Sequence, residues 1–206
     1  VWHAAGILAD GVLSKQSASS LTRVYGPKAH GGSALQLASS TQPLRMNAQF
    51  SSIAAMFGGA GQANYSAANT CLDAMAAHCR ARGRVSVSVQ WSAWAEIGMA
   101  SRGAASERMA AMEAASGLGR IDVSQGLAAL HAAALPRAPS LLGVMAVQWH
   151  RMFGGDTLVP ALLSDMAPRP AVTSPRSSSA PPQGVASTTS GVVQCEVCSV
   201  SLEMVL

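Results

Sequence analysis

The sequence predicts a layered α/β fold built on a parallel sheet. Residues 85–91 (VSVSVQW) are β-branched and alternate strictly, which marks a strand. Residues 62–82 carry Ala68, Leu72, Met75, Ala76 and Cys79 at the spacing of one apolar helix face. Further strand-like runs flank these helical stretches, and strands separated by helices imply parallel crossover units.

Taken in order, residues 1–3 read as the end of a buried strand, and Ala4-Ala5-Gly6 allows a close backbone turn. Residues 14–41 are expected to be mostly helical, interrupted near Pro27. Residues 46–53 read as a second strand, 58–61 as a Gly-rich loop, and 62–82 as the long helix. Arg80, Arg82 and Arg84 around Gly83 suit the last turn and cap of that helix, where cations complement the helix dipole. After strand 85–91 a loop runs past Trp94 and Met99. Helices are expected around 106–116 and 123–134, and a final strand over 141–149. From about Pro168 the pattern stops in a run rich in Pro and Ser, so residues 1–165 form the predicted domain and 166–206 a disordered linker and tail.

Composition excludes several classes. The chain has 206 residues, is 49% hydrophobic and only 12% charged, and carries a formal net charge of +4. That mild excess, almost all Arg in an Ala- and Gly-rich chain, does not read as a nucleic-acid surface. The uncharged run 46–72 contains Asn47, Gln49, Gln62, Asn64 and Asn69, which a bilayer interior would not tolerate. Cys71 and Cys79 share a helix and are too far apart to bridge. Cys195 and Cys198 form a lone pair with no second pair or His to complete a zinc site, and no metal site is expected. A reducing cytoplasmic or organelle-stromal setting fits this cysteine usage. The chain opens Val-Trp-His, without Met, and reads as a segment of something longer.

Tyr65 and Asn69 are four residues apart at the start of the long helix and share a face. Ser52 follows a strand, where the ligand crevice of an open parallel sheet lies. Lys28, on the earlier helix, can reach the same place. Singly, each has a plain structural use: Tyr in packing, Ser in a cap, Lys in solvent. Together they suit hydride reduction of a ketone, which builds negative charge on oxygen and needs both a hydrogen-bond donor and a proton source.

Four blocks, HAAGILADGVL, PKAHGG, FSSIAAMFGGAGQANYSAANTCLDAMAAHCRARG and VSVQWSAWAEIGMA, resemble the ketoreductase domains of modular polyketide synthases, members of the short-chain dehydrogenase/reductase superfamily. The resemblance runs over residues 1–149. It implies the C-terminal part of a Rossmann-like, doubly wound parallel sheet, with the first strands and the Gly-rich turn lying before Val1. It further implies NADPH-dependent reduction of a β-ketoacyl thioester on an acyl carrier protein, alongside other synthase domains, with no nucleic-acid or membrane partner.

In that family the usual Tyr-x-x-x-Lys pattern becomes Tyr-x-x-x-Asn, here Tyr65 and Asn69, with the lysine supplied from the earlier helix as Lys28. The resemblance makes Tyr65 the proton donor and Ser52 the holder of the substrate oxygen. It gives Lys28 the nicotinamide ribose and a lowering of the Tyr65 pKa, and Asn69 a proton relay. Ala4, Ala5 and Gly6, with Lys28 and Tyr65, are the expected cofactor contacts. Asp10, the retained end of a Leu-Asp-Asp motif that here reads Leu8-Ala9-Asp10, points to B-type stereochemistry. Phe57 stands where the A-type has Trp, and Trp94 and Met99 are expected at the substrate crevice.

Departures from the family pattern are also legible. No G-x-G-x-x-G follows a strand, so this polypeptide alone is expected to be inactive. The strand before Ser52 carries Asn47 and Gln49 where a central parallel strand is normally apolar, and Ser92 replaces a usual Gly. Two other readings stay open: a non-catalytic remnant packing on a partner chain, and a free-standing short-chain dehydrogenase.

Overall fold

The computed structural model describes residues 1–96, 110–111, 113, 116–154, 158–166 and 197–198. Strands β1 (Trp2–His3), β2 (Asn47–Ser52), β3 (Ser86–Trp91) and β5 (Leu141–Val144) lie side by side in that order, all parallel. β7 (Val197–Cys198), from the segment expected to be tail, adds antiparallel to β5. Between the strands lie α1 (Ala18–Tyr25), α2 (Gly31–Ala38), the short α3 (Ala54–Phe57), the long α4 (Ala63–Ala81) and α5 (Val123–Ala133). No helix among the described residues is long and apolar enough to cross a membrane.

The interruption expected near Pro27 is a change of helix type and not a gap in the helix. Residues 26–30 form a π-helical turn that joins α1 to α2. Widening the turn accommodates a residue with no N–H to give. It also leaves the Lys28 carbonyl to accept from His3 Nε2 at 3.0 Å. Ser14 lies in a 3₁₀ turn over Leu13–Lys15, and the α-helix proper begins at Ala18, where Ser17 caps it in a reciprocal box with Ser20.

The single strand expected over 141–149 is two. Main-sheet pairing stops at Val144, and β6 (Ala146–Val147) turns away to pair antiparallel with β4 (Leu118–Gly119). Trp149 then opens a short helix, α6 (Trp149–Met152). Ser92, the residue in the place of a usual Gly, donates to the Gly119 carbonyl at 2.9 Å and so ties the end of β3 to this small sheet. Most of the helix expected over 106–116 falls outside the described residues.

The sheet separates two unlike layers. On one face Ala48, Val87, Val89, Trp91, Leu142 and Val144 pack against Ile121 and α5, an apolar core with Phe50 and Trp94 at its rim. The other face of β2 and β3 presents Asn47, Gln49, Ser51, Ser86, Ser88 and Gln90, every one buried. It lies under α4, itself anchored by Leu72 and Ala76 at 0% exposure. The two amides the sequence left without partners meet each other, Gln49 Nε2 donating to Asn47 Oδ1 at 3.4 Å.

Trp94 reaches its place because Gly126 in α5 has no side chain: a Cβ there would overlap the indole ring at Cη2. Gly126→Ala should therefore displace the Trp94 ring and cost roughly 1–3 kcal/mol, outweighing the better helix propensity of Ala. Chemical denaturation followed by tryptophan fluorescence reads both effects; a variant at least as stable as the parent would show that Trp94 is not held by this contact.

Candidate active site

The crevice at the C-terminal ends of β1 and β2 gathers the four sequence-predicted residues. Tyr65 and Asn69 come from the first turns of α4, are 9% and 0% exposed, and point toward the sheet. Ser52 ends β2, and its Oγ accepts from the N–H of Ala54 at 3.2 Å, so it serves as a local cap as well as lining the crevice. Lys28 reaches in from the π turn and is 3% exposed. Its Nζ donates to the Phe50 carbonyl at 3.0 Å and lies 5.2 Å from the centre of the Tyr65 ring, against the π face.

A loop docks beside this group. Gly11 N–H donates to the Gly61 carbonyl at 2.8 Å, and Gly61 adopts φ +72°, a conformation that favours glycine. Asn64 Nδ2 donates to the Ala9 carbonyl at 2.8 Å while its Oδ1 accepts the N–H of Tyr65 at 2.8 Å. Asp10, exposed at the tip, accepts from Gln62 Nε2 at 3.3 Å. Residues 9–11 are thus one wall of the entrance to Tyr65.

Burial dominates the electrostatics. It holds the Tyr65 hydroxyl above its ordinary value. Hydrogen bonds from Asn69 and Ser52 pull the other way, and the Asp10 carboxylate adds to the rise. Burial likewise pulls the Lys28 ammonium down to about 8, partly opposed by the carboxylate of Asp73. Any depression by Lys28 does not outweigh burial, and the phenol keeps its O–H, the form a proton donor needs.

Among the other expected site residues, Ala4 and Ala5 are exposed after β1, and Gly6 is half-buried against Lys28, where a Cβ would stand 3.2 Å from Lys28 Cε. Phe57 is half-buried at the end of α3. Trp94 packs against Trp91 with ring centres 5.1 Å apart and planes tilted by 48°, at the apolar face rather than beside Tyr65. Met99 lies outside the described residues.

Sequence reasoning passed over Asn64 and Asp73. Asp73 sits one turn beyond Asn69 on the same helix face, and its carboxylate accepts from Ser88 Oγ at 2.6 Å and Gln90 Nε2 at 2.8 Å. The signal was available: a central strand whose alternate residues are Ser86, Ser88 and Gln90 requires a buried polar partner on the facing helix.

A family model described as the KR domain matches residues 1–96. Polyketide synthase GfsA of Streptomyces halstedii is 38% identical over 170 residues, covering 81% of this chain but 2% of that protein. Among solved structures, an A-type ketoreductase from a modular polyketide synthase superposes with TM-score 0.67 at 28% identity, covering 73% of this chain and 31% of that one. The first ketoreductase of the tylosin synthase gives 0.64 at 35% identity, covering 73% and 32%. The chain therefore spans about a third of the solved ketoreductases it matches, and a small fraction of the synthases.

The buried lysine has a consequence for stability. Its folded pKa lies below the unfolded value near 10.5, so the folded chain binds fewer protons between about 8 and 10.5. Stability then rises with pH across that window, and below it the full cost of burying the charge is carried. Lys28→Met should stabilise the chain at pH 7 by on the order of 2 kcal/mol, net of the lost Phe50 bond, and the gain should shrink toward pH 10. Urea unfolding at the two pH values measures it; an equal effect at both would mean the ammonium is not the source.

Proposed function

Because the chain belongs to the KR domain family, the ketoreductases of polyketide synthases, we propose that the Tyr65 group reduces the β-carbonyl of a β-ketoacyl thioester to a β-hydroxyl. The convergence of Tyr65, Ser52, Lys28 and Asn69 from three separate elements carries this reading. A free-standing dehydrogenase of the Tyr-x-x-x-Lys kind would take its lysine from α4, where this chain has Asn69. A remnant without chemistry would have no use for an ammonium buried at 3% exposure.

The residues present suit the nicotinamide end of NADPH. Gly6 leaves the backbone open beside the Lys28 amine, and the buried Oδ1 of Asn69 has no partner of its own. Lys28 and Tyr65 would hold the ribose hydroxyls, with residues 4–6 beneath. The cofactor supplies the hydride that goes to the β-carbon.

Every other task falls to the protein. Ser52 and Tyr65 donate to the carbonyl oxygen, fixing and polarising it as negative charge develops. The Tyr65 proton completes the alcohol, and Lys28, held against the ring, stabilises the phenolate left behind. The substrate is proposed to arrive on an acyl carrier protein, in the cytoplasm, among the other domains of a synthase.

The test is to fuse the chain in frame behind the nucleotide-binding half of a related ketoreductase and assay a β-ketoacyl thioester with NADPH. The fusion should turn over, while the chain alone should bind NADPH weakly and show no reductase activity. In the fusion Tyr65→Phe should lower kcat by about 10²–10⁴-fold with little change in fold. Near-normal turnover by that variant would remove Tyr65 from the chemistry.

The side on which the substrate enters is proposed to follow from the Asp10 loop. It is pinned to Gly61, Gln62 and Asn64 and so forms a fixed wall immediately before Tyr65. With Asp10 present and Phe57 in place of the A-type Trp, the fusion should give the D-configured β-hydroxyl. Chiral chromatography of the reduced thioester reports the outcome, and predominantly L product would overturn the assignment.

A further inference from the structure

The Lys28 amine meets the Tyr65 ring only if the backbone beneath it is held at one rotation. That backbone is the π turn over residues 26–30. A π turn holds one residue more than an α turn, and the Gly31 N–H accordingly reaches the Gly26 carbonyl, shared with that of Lys28. Were the turn to relax to α, the register would slip by one residue, a rotation of about 100°. Lys28 would then swing away from Tyr65.

The backbone of this turn is gripped from outside the helix by His3. That residue is buried at the end of β1, and its Nε2 lies 3.0 Å from the Lys28 carbonyl. A carbonyl only accepts, so Nε2 carries the hydrogen and donates. The ring lies close against Gly31, where a Cβ would stand 3.4 Å from His3 Cε1. His3 is itself fixed by the sheet, in register with Gln49 of β2. Lys28 is therefore tied to two neighbouring strands, its carbonyl to β1 and its amine to the Phe50 carbonyl of β2 at 3.0 Å. Strung between them, the side chain meets the Tyr65 ring, its Nζ 5.2 Å from the centre.

We propose that His3 is a positioning residue of the Tyr65 site: its Nε2–H, donated to the Lys28 carbonyl, holds the π turn in the register that sets the Lys28 amine against the Tyr65 ring. The proposal deepens the reductase reading and rests on it for what the placement serves, but not for its test. Packing alone does not account for this residue. A buried parallel strand is normally apolar, and a Phe would fill the space with no polar group to satisfy. The histidine brings a polar group that needs a partner, and the carbonyl it meets belongs to the lysine of the crevice.

Shielding by the Tyr65 ring reports the placement, because protons held over an aromatic face resonate upfield. The chain has two lysines, so ¹³C labelling of their ε carbons gives two NMR signals, and the exposed Lys15 is an internal reference. In the intact chain the Lys28 ε protons should lie upfield of those of Lys15. His3→Phe keeps a buried ring, removes the donor, and should lose most of that displacement. His3→Gln keeps a side-chain N–H and should retain more of it. A role confined to packing would lower the melting temperature and leave the displacement in place. That result, or equal loss by the two variants, overturns the proposal.

Should neither variant fold, the unmodified chain decides the matter through ¹⁵N-labelled histidine. His3 should carry its hydrogen on Nε2 at neutral pH. An Nδ1–H tautomer leaves Nε2 nothing to donate and overturns the proposal. Either failure is separate from failure of the reductase reading, which the turnover of Tyr65→Phe in the fusion decides.

Discussion

The structure is organised around one costly act, the burial of a lysine ammonium under a parallel sheet. An uncompensated charge inside a protein loses hydration worth several kcal/mol. Lys28 meets that cost with a carbonyl, an aromatic face and the field of a carboxylate, supplied by two other elements. Phe50 comes from β2, Tyr65 and Asp73 from α4, and the lysine itself from the π turn. The amine keeps its place only while β2, α4 and the 18–38 helix stay in register. The same contact that equips the crevice also joins its walls.

That requirement explains the two-faced sheet. Central parallel strands are normally apolar on both sides, and here one side of β2 and β3 is amide and hydroxyl throughout. Several of its polar groups are engaged, although Gln49 Oε1 and Gln90 Oε1 have no hydrogen-bond partner among the described residues. Ser88 and Gln90 hold Asp73, Ser51 donates to the Asn69 carbonyl at 3.3 Å, and Ser86 to that of Asn47 at 3.3 Å. The apolar layer of Val87, Val89, Trp91 and Leu142 on the opposite face supplies hydrophobic burial that the polar layer cannot. The division is of labour: one face stabilises the sheet, the other arranges charges beneath α4.

Much of this was legible in the sequence. The 62–82 periodicity placed Tyr65 and Asn69 on one helix face, and strand 85–91 fell within a residue of β3. The four residues of the crevice were all named. What escaped had physical causes. Pro27 reads as a helix breaker, but a π turn lets the helix absorb it, and local sequence does not reveal which outcome tertiary contacts such as His3 to Lys28 will favour. The run over 141–147 is apolar throughout, so nothing in its pattern marks Met145 as the place where the chain changes sheets. Asp73 was hidden because a lone acidic residue on a helix is ordinarily solvated. It became meaningful only with the parity of Ser86, Ser88 and Gln90 on the strand it faces.

Burial has opposite effects on the two acids of the crevice, and their order matters. A phenol and an ammonium in water lose their protons at nearly the same pH, close to 10. Inside this crevice burial raises Tyr65 and pulls Lys28 to about 8, so the lysine becomes the easier proton to lose. Desolvation disfavours whichever form carries charge, which is the phenolate on one side and the ammonium on the other. Under the reductase reading this order suits both halves of the event. Before reduction the tyrosine holds its proton until the substrate oxygen demands it. Afterwards the phenolate is a stronger base than the neutral amine beside it, so transfer from Lys28 back to Tyr65 runs downhill. The carboxylate of Asp73 opposes part of that fall. The useful setting is intermediate, with an acid weak enough to wait and a neighbour charged enough to refill it.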